Sequence, residues 1–473
     1  SSSRSRAKVL TSNLLNNRAP QQRNPSDWRP TIMHLFNPQS TAAASDTNKK
    51  AMRRTLPIIA LLLLSIMQVC AQQKNYDFQA GKLFYKITSA EKRTVDVTPE
   101  LDELVKANGT FYNNPLEGDI VIPNKVEHQG QQYYVSAIRD NAFGGCGKIT
   151  SVSIPANVGR LGDQVFLSCT GLKRITVDPE NPMLKDIDGV LFDKSGKKLL
   201  SFPNMRTANY EMPEGTVEVT PAAFFLCNAV ETVKFPSTLK SIGLLAFGHC
   251  LKLREVTVPK SVTELGDFAF YNCTALEKAI IKADISEIKQ YMFSRCTALK
   301  EVSIPASVEF IRTWAFGDCA PMKSITLPEG LKGIDAEAFN GCSSLNEITL
   351  PEGLEQLGAH AFDRCKALKS ITCLRNEPLV QGVTMGVSVF DGVDKNLCEL
   401  KVPRGYKDQY AVAEQWKEFT NISEHDLTGI SFPTNQGRTM KTAIFTLNGQ
   451  RLPANALPAQ GLYIINGKKV YVK

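Results

Sequence analysis

Nine cysteines and nine phenylalanines recur on one interval, and that interval constrains this chain more than any other feature. Cys146 and Cys169 stand 23 residues apart, and Cys227, Cys250, Cys273, Cys296, Cys319, Cys342 and Cys365 keep the same step. Three residues before each cysteine is a phenylalanine: Phe143, Phe166, Phe224, Phe247, Phe270, Phe293, Phe316, Phe339 and Phe362. Self-similarity at a short fixed period marks a stack of like units, none of which buries its apolar side alone. At 473 residues the chain is also longer than one compact core sustains, which a stack spread along an axis avoids.

One unit reads Cys296-Thr-Ala-Leu-Lys-Glu-Val-Ser-Ile-Pro-Ala-Ser-Val-Glu-Phe-Ile-Arg-Thr-Trp-Ala-Phe-Gly-Asp. Leu299, Val302 and Ile304 give a short strand, with Val302 and Ile304 alternating about Ser303. Pro305 ends ladder pairing because it lacks an N–H. Val308 and Ile311 make a second apolar pair, and Ala315-Phe316 closes the coil on a turn or short helix. The unit from Cys273 to Arg295 departs from this pattern: it lacks the proline and carries Met292 before Phe293. Between Cys169 and Cys227 the interval is 58 residues, and the extra length holds Gly189-Val-Leu-Phe-Asp and Lys198-Leu-Leu-Ser-Phe-Pro, an additional hairpin-like coil.

Charge narrows the function. The chain has 55 Lys and Arg against 47 Asp and Glu, a net charge of +8. Residues 1–71 alone hold ten bases and two acids, so residues 72–473 carry 45 of each. A neutral body lacks the phosphate attraction on which nucleic-acid binding rests. Met52-Arg53-Arg54, the apolar run from Leu56 to Met67, and Val69-Cys70-Ala71 read as a signal peptide over 52–71, cleaved after Ala71. Acylation at Cys70 is the alternative, which bulky Val69 disfavours. Residues 1–51 read as a disordered or untranslated leader ahead of Met52. No transmembrane span is expected after signal removal.

The repeating unit resembles the BspA-type leucine-rich repeat family, whose pattern is Ala-Phe-x-x-Cys-x-x-Leu-x-x-Ile-x-Ile-Pro-x-x-Val-x-x-Ile, over about residues 130–400. Asp188-Gly189-Val190-Leu191-Phe192, and the stretch Leu400-Lys-Val-Pro-Arg-Gly-Tyr with Trp416-Lys-Glu-Phe419-Thr-Asn-Ile422, are similar to the family's insert and capping elements. The expected fold is a β-rich α/β solenoid: a right-handed leucine-rich repeat superhelix of 23-residue coils with short parallel strands, plus a small C-terminal β module. The expected division is an N-terminal cap over 72–135, the solenoid over 136–426 and a β-hairpin module over 427–473, with hairpin turns at Asn448-Gly449 and Asn466-Gly467. Leu447-Asn-Gly-Gln-Arg451 and Gly461-Leu-Tyr-Ile-Ile465 in that module are similar to the C-terminal sorting modules of exported Bacteroidetes proteins, although the module is shorter than a full type IX sorting domain. The resemblance implies an exported, adhesin-like surface protein that attaches to protein or glycan ligands on host or bacterial surfaces, extracellular-matrix proteins among them. A structural or glycan-binding accessory role in the cell envelope is the alternative.

Eleven cysteines follow the signal segment. Adjacent rungs place them within disulfide reach, so distance leaves a covalent framework open. Equivalent positions point the same way, however, and free cysteine is among the most buried residue types, which favours a ladder of reduced thiols. On this reading Cys373 points inward and Cys398 outward. No nucleophile elbow, phosphate loop or dinucleotide fingerprint occurs, and His34, His128, His249, His360 and His425 are scattered, so neither catalysis nor a metal or other cofactor is expected.

Binding faces of a solenoid come from one repeat position in successive coils. Two such columns stand out. The residue between the two inward strand positions gives Ser153, Thr176, Lys234, Thr257, Ile280, Ser303, Thr326, Thr349, Thr372 and Lys401. Beside it, charges alternate between rungs: Glu255, Lys278, Glu301, and Arg254, Glu277, Lys300. Two residues before each ladder phenylalanine stand Leu245, Phe268, Tyr291, Trp314, Glu337 and His360. Phe268, Tyr291 and Trp314 therefore form either a cover over the core edge or an exposed aromatic patch. The candidate partner-binding residues are these three with Thr257, Ile280, Ser303, Thr326 and Thr349.

Overall fold

The computed structural model describes residues 74–101 and 114–426, together with the strands Ile444–Thr446, Gly461–Ile465 and Lys468–Val472. The leader, the signal segment, residues 447–451 and the turn Asn466-Gly467 lie outside the described residues. Each regular coil supplies short strands to two parallel ladders. In one, Glu255–Val258, Lys278–Ile281 and Glu301–Ser303 lie side by side, with Glu255 opposite Lys278 and Lys278 opposite Glu301. In the other, Glu287–Ile288, Phe310–Ile311, Gly333–Ile334 and Gln356–Leu357 pair in the same sense. Partners sit 23 positions apart along the chain, so a side chain meets its counterpart one coil on.

The coils close on turns, not helices. Leu245, Phe247 and His249 donate their N–H groups to the carbonyls of Asp267, Ala269 and Tyr271 in the next coil, at 3.0, 2.8 and 2.8 Å. The residues between them make local turns instead, as Gly248 does with Leu245 and Cys250 with Phe247. This path needs two left-handed residues per coil, two before and two after the phenylalanine: Leu245 and His249 at φ 55° and 58°, Phe268 and Asn272 at 59° and 55°, Tyr291 and Arg295 at 55° and 61°. β-branched side chains are the least tolerant of that region, and none of these positions carries one.

The phenylalanines are buried and stack ring on ring. Centroids are 5.5 Å apart for Phe247–Phe270 and Phe270–Phe293, 5.6 Å for Phe293–Phe316 and 5.3 Å for Phe339–Phe362. The cysteines fill the space beside them. From Cys169 to Cys365 each ladder thiol donates to the carbonyl of the phenylalanine one coil back: Cys250 to Phe224 at 3.1 Å, Cys296 to Phe270 at 3.2 Å, Cys342 to Phe316 at 3.2 Å. A small apolar side chain with a weak donor satisfies both the packing and the carbonyl, which explains the residue type. All eleven cysteines among the described residues are free and buried.

The insert runs as an antiparallel meander, Leu184–Ile187, Val190–Asp193 and Lys198–Ser201, whose last strand pairs in parallel with Glu218–Val219. Its central strand serves two cores by simple alternation. Leu191 belongs to the N-terminal apolar cluster, whereas Val190 and Phe192 belong to the long C-terminal one. At the far end the helix Lys407–Val412 and the 3-10 turn Trp416–Glu418 close the stack. Trp416 packs 5.2 Å from Phe390 and donates its indole N–H to the Leu379 carbonyl at 3.1 Å.

Three local readings change. Cys398 is buried, not outward, because it shares the parity of Leu400 and Val402, which also face inward. The unit without proline keeps register on both sides in the first ladder, with Met292 fully buried in the place of alanine, but in the second ladder its strand Glu287–Ile288 pairs only forward, with Phe310–Ile311. The unit from Cys319 instead loses its strand: residues 322–328 form no ladder with either neighbour and keep one backbone bond to the next coil, from Asn346 N–H to the Lys323 carbonyl at 2.8 Å, although Ile325 and Leu327 remain buried. Pro321 stands just ahead and has no N–H to offer the preceding coil.

Candidate functional site

The outer aromatic column lies on the turn side of the coils, where the backbone itself is left-handed. Phe268, Tyr291 and Trp314 come together as one parallel stack: centroids are 4.7 Å apart at 5° between Phe268 and Tyr291, and 6.0 Å apart at 4° between Tyr291 and Trp314. The three are not equivalent. Phe268 is 6% exposed and sits in a satellite apolar cluster with Phe225, Leu245 and Tyr271, outside the main core. Tyr291 packs against that cluster half-buried, and Trp314 is likewise half-buried.

What decides this gradient is the residue three positions on, which the turn brings against the ring. Tyr271 meets Phe268 edge to face at 5.6 Å and closes it off. At Trp314 the corresponding residue is Gly317, and a Cβ there would lie 2.1 Å from the indole ring. The indole therefore lies flat in a space that only glycine leaves open. These i+3 partners, Tyr271 and Gly317, escaped the column reading, although their spacing was present in the sequence.

The neighbourhood is polar at its edges. Arg295 hydrogen-bonds Tyr271, and Asn272 Nδ2 donates to His249 Nδ1 at 3.0 Å. Burial, with Arg295 as a secondary cause, holds the His249 imidazole down to about 4, so it is neutral at physiological pH. Burial likewise raises the Tyr291 phenol above its ordinary range. Among the described residues no group of three or more His, Cys, Asp or Glu is arranged to hold a metal ion, and no helix is long and apolar enough to cross a membrane.

The strand column is divided. Thr257, Ile280 and Ser303 are in register on adjacent strands. Thr349 pairs with Thr372, and Thr372 with Lys401, in a separate sheet. Thr326, exposed, falls in the unpaired unit between them and joins neither. The flanking charges pair across rungs, Lys278 with Glu301 at 2.7 Å and Lys300 with Glu277 at 2.8 Å, which cancels their field at a distance.

A family model described as the BspA type leucine-rich repeat region matches residues 124–205, 198–322 and 314–408. Among solved structures, a leucine-rich repeat protein of Eubacterium ventriosum is 26% identical, with a TM-score of 0.46 over 48% of this chain and 65% of that one. The present chain thus spans about two thirds of that relative's length. One from Bacteroides ovatus is 24% identical over 74% of this chain and 77% of its own, with a TM-score of 0.45. A leucine-rich cell surface protein of Faecalibacterium prausnitzii is 22% identical over 63% and 94%, with a TM-score of 0.35. No curated protein matches. With the family model spanning well over half of the chain and the 23-residue coils stacked in register, the protein belongs to the BspA-type leucine-rich repeat family.

Proposed function

We propose that this is an exported, non-enzymatic, adhesin-like surface protein that holds a protein partner on the outer aromatic column, with Tyr291 and Trp314 at the centre. The carrying observation is their parallel, half-buried stack in an environment where folding tolerates other side chains. Glu337 and His360 occupy the same left-handed position in the next two coils. The faces of Tyr291 are covered by Phe268 and Trp314, so its remaining exposure is ring edge and hydroxyl. Ring edges carry positive partial charge and suit peptide carbonyls, and the indole adds apolar area. On the strand side Thr257, Ile280 and Ser303, and separately Thr326 and Thr349, offer lesser contacts, through hydroxyls at all but Ile280. Export follows from the signal segment over 52–71, and residues 427–473 serve as a sorting or anchoring module, so deletion of 427–473 abolishes surface display.

Surface-immobilised extracellular-matrix proteins and glycans, presented to the purified protein and to the double variant Tyr291→His, Trp314→Glu, test the reading. Both replacements copy residues that stand at the same position elsewhere in the chain. The expected result is matrix-protein binding that falls at least tenfold in the variant with an unchanged melting temperature. Retained binding by the variant, or binding to glycans alone, overturns it.

A further inference from the structure

Among the described residues, the row of turn-to-turn hydrogen bonds inside the stack is interrupted at one coil. Elsewhere each turn segment gives three N–H groups to the next coil: Asn141, Phe143 and Gly145 donate to Asp163, Val165 and Leu167 at 3.0, 3.0 and 2.9 Å. Past the insert, Ala222, Phe224 and Leu226 do the same to Leu244, Ala246 and Gly248 at 2.9, 2.8 and 3.0 Å. The equivalent groups of the coil between them, on Gln164, Phe166 and Ser168, reach no acceptor in the rung that follows. The Ser168 hydroxyl, on a residue 6% exposed, is also without a partner.

The insert explains the gap. Phe202 takes the next place in the phenyl column, stacking on Phe224 at 4.5 Å, and its carbonyl receives the Cys227 thiol at 3.5 Å. Its N–H and the Asn204 amide donate forward to the carbonyls of Ala223 and Phe225, both at 2.8 Å. All of these bonds face the coil ahead. Behind them lies a cleft of about 250 Å³ between Phe166 and Phe202, walled by Val165, Leu167, Leu200 and Phe225. Asp163 is the one charged residue in its lining, so no basic side chain is there to hold an anion. Its unmet donors instead require neutral acceptors repeating along a line, at alternate residues.

We propose that this cleft takes a short segment of a partner polypeptide as an added rung. The carbonyl oxygens of the segment accept from the N–H groups of Gln164, Phe166 and Ser168, and one apolar side chain enters between Phe166 and Phe202. This is main-chain augmentation at an interior edge of the solenoid, separate from the aromatic column in place and in chemistry. Affinity comes from backbone hydrogen bonds and selectivity from the single apolar slot.

The probe is a capped hexapeptide copying residues 267–272, Asp-Phe-Ala-Phe-Tyr-Asn, whose first, third and fifth carbonyls already receive three such N–H groups within the structure. Binding is read by fluorescence anisotropy of the labelled peptide and by amide hydrogen exchange of the whole protein. The expected result is saturable binding with at least tenfold slowing of exchange at Gln164, Phe166 and Ser168, and none at Leu245, Phe247 and His249. Ala222→Phe fills the cleft yet sets against Phe225 the same pair of large residues that Phe268 makes with Tyr271, so the fold persists and peptide binding falls at least tenfold. The Tyr291→His, Trp314→Glu variant binds the peptide normally. Slow exchange at the three amides without peptide, absence of binding, or binding unchanged by Ala222→Phe overturns the proposal.

Discussion

The inner and outer aromatic columns share one period and run in adjacent register, yet they obey different rules. Across seven coils from Phe224 to Phe362 the inner position is phenylalanine every time and fully buried, with rings 4.5–5.6 Å apart. Over the same coils the outer position passes from Ala222 through Leu245, Phe268, Tyr291 and Trp314 to Glu337 and His360, at an almost constant φ of 55–59°. Each column repeats its own backbone conformation from coil to coil, left-handed in the outer one alone, and only the outer column reaches solvent. An interior position must fill one fixed volume in every rung, whereas an edge position needs only to tolerate its dihedral angles. Chemical monotony along a repeat therefore reports burial, and variation at constant geometry reports a surface open to function.

The largest effect expected from this contrast comes from alkali. Burial pushes the thiols of Cys146, Cys365, Cys373 and Cys398 up to about 12, and holds Cys169, Cys227, Cys250, Cys296, Cys319 and Cys342 well above the ordinary range. An unfolded thiol ionises near pH 8.5. Above that pH the unfolded state releases protons that the folded state keeps, so stability falls as pH rises. Each thiol removes about 1.4 kcal/mol per pH unit, and ten together match the ~5–15 kcal/mol that holds a typical domain. Circular dichroism is therefore expected to show cooperative unfolding near pH 10, and a protein native at pH 11 breaks the buried-ladder account. At pH 8 the same thiols react with Ellman's reagent only after denaturation.

Single substitutions sharpen the contrast further. Phe293→Ala empties one rung of the inner column and costs about 3–5 kcal/mol, read as a lower midpoint in urea. Trp314→Glu one coil on is expected to cost under about 1 kcal/mol. Equal losses in the two variants erase the distinction between the columns. Gly317→Ala is subtler, since its Cβ evicts the indole from its resting place while leaving Phe316 alone. A red shift of tryptophan emission with little change in midpoint is expected, and an unshifted spectrum refutes the close approach of indole and Gly317.

Much of this was legible in the residues and some was not, for physical reasons. Period and alternation determine which positions face each other, so the phenyl and sulfur columns and the strand register follow directly from spacing. Met292, fully buried where the neighbouring coils carry alanine, shows that the position before the phenylalanine accepts a much larger side chain without loss of the rung. Exposure along the outer column depends on a second residue three positions away, and a single-column reading misses it: Phe268 and Trp314 look alike until Tyr271 and Gly317 are set beside them. Pro321 was visible, but its effect on pairing passes through a missing donor between coils. The cleft at Phe166 arises from which neighbour the insert bonds to, a choice between two rungs that no periodicity encodes.

The smallest effect should come from the charged rungs beside the strands. Lys300 and Glu277, and Lys278 and Glu301, are well hydrated although their contacts are short. Exposed pairs of this kind lose in side-chain entropy most of what they gain in attraction. Lys300→Ala is therefore expected to leave the melting temperature unchanged, and raising NaCl to 1 M, where screening acts within roughly 3 Å, should do no more. Arg312 supplies the contrast on the second ladder. Its guanidinium bonds Glu287, lies 3.5 Å from Asp335 and covers the Phe310 ring at 4.4 Å, with the acids about four-fifths buried. Attraction to Glu287 and Asp335 raises the Arg312 guanidinium, and Arg312 in turn lowers the Glu287 carboxyl. Because ring contact and charge are lost together, Arg312→Ala should cost about 1 kcal/mol. If Lys300→Ala proves as costly, the alternating charges hold the stack together, and the neutrality of that face is a structural requirement instead of a by-product of pairing.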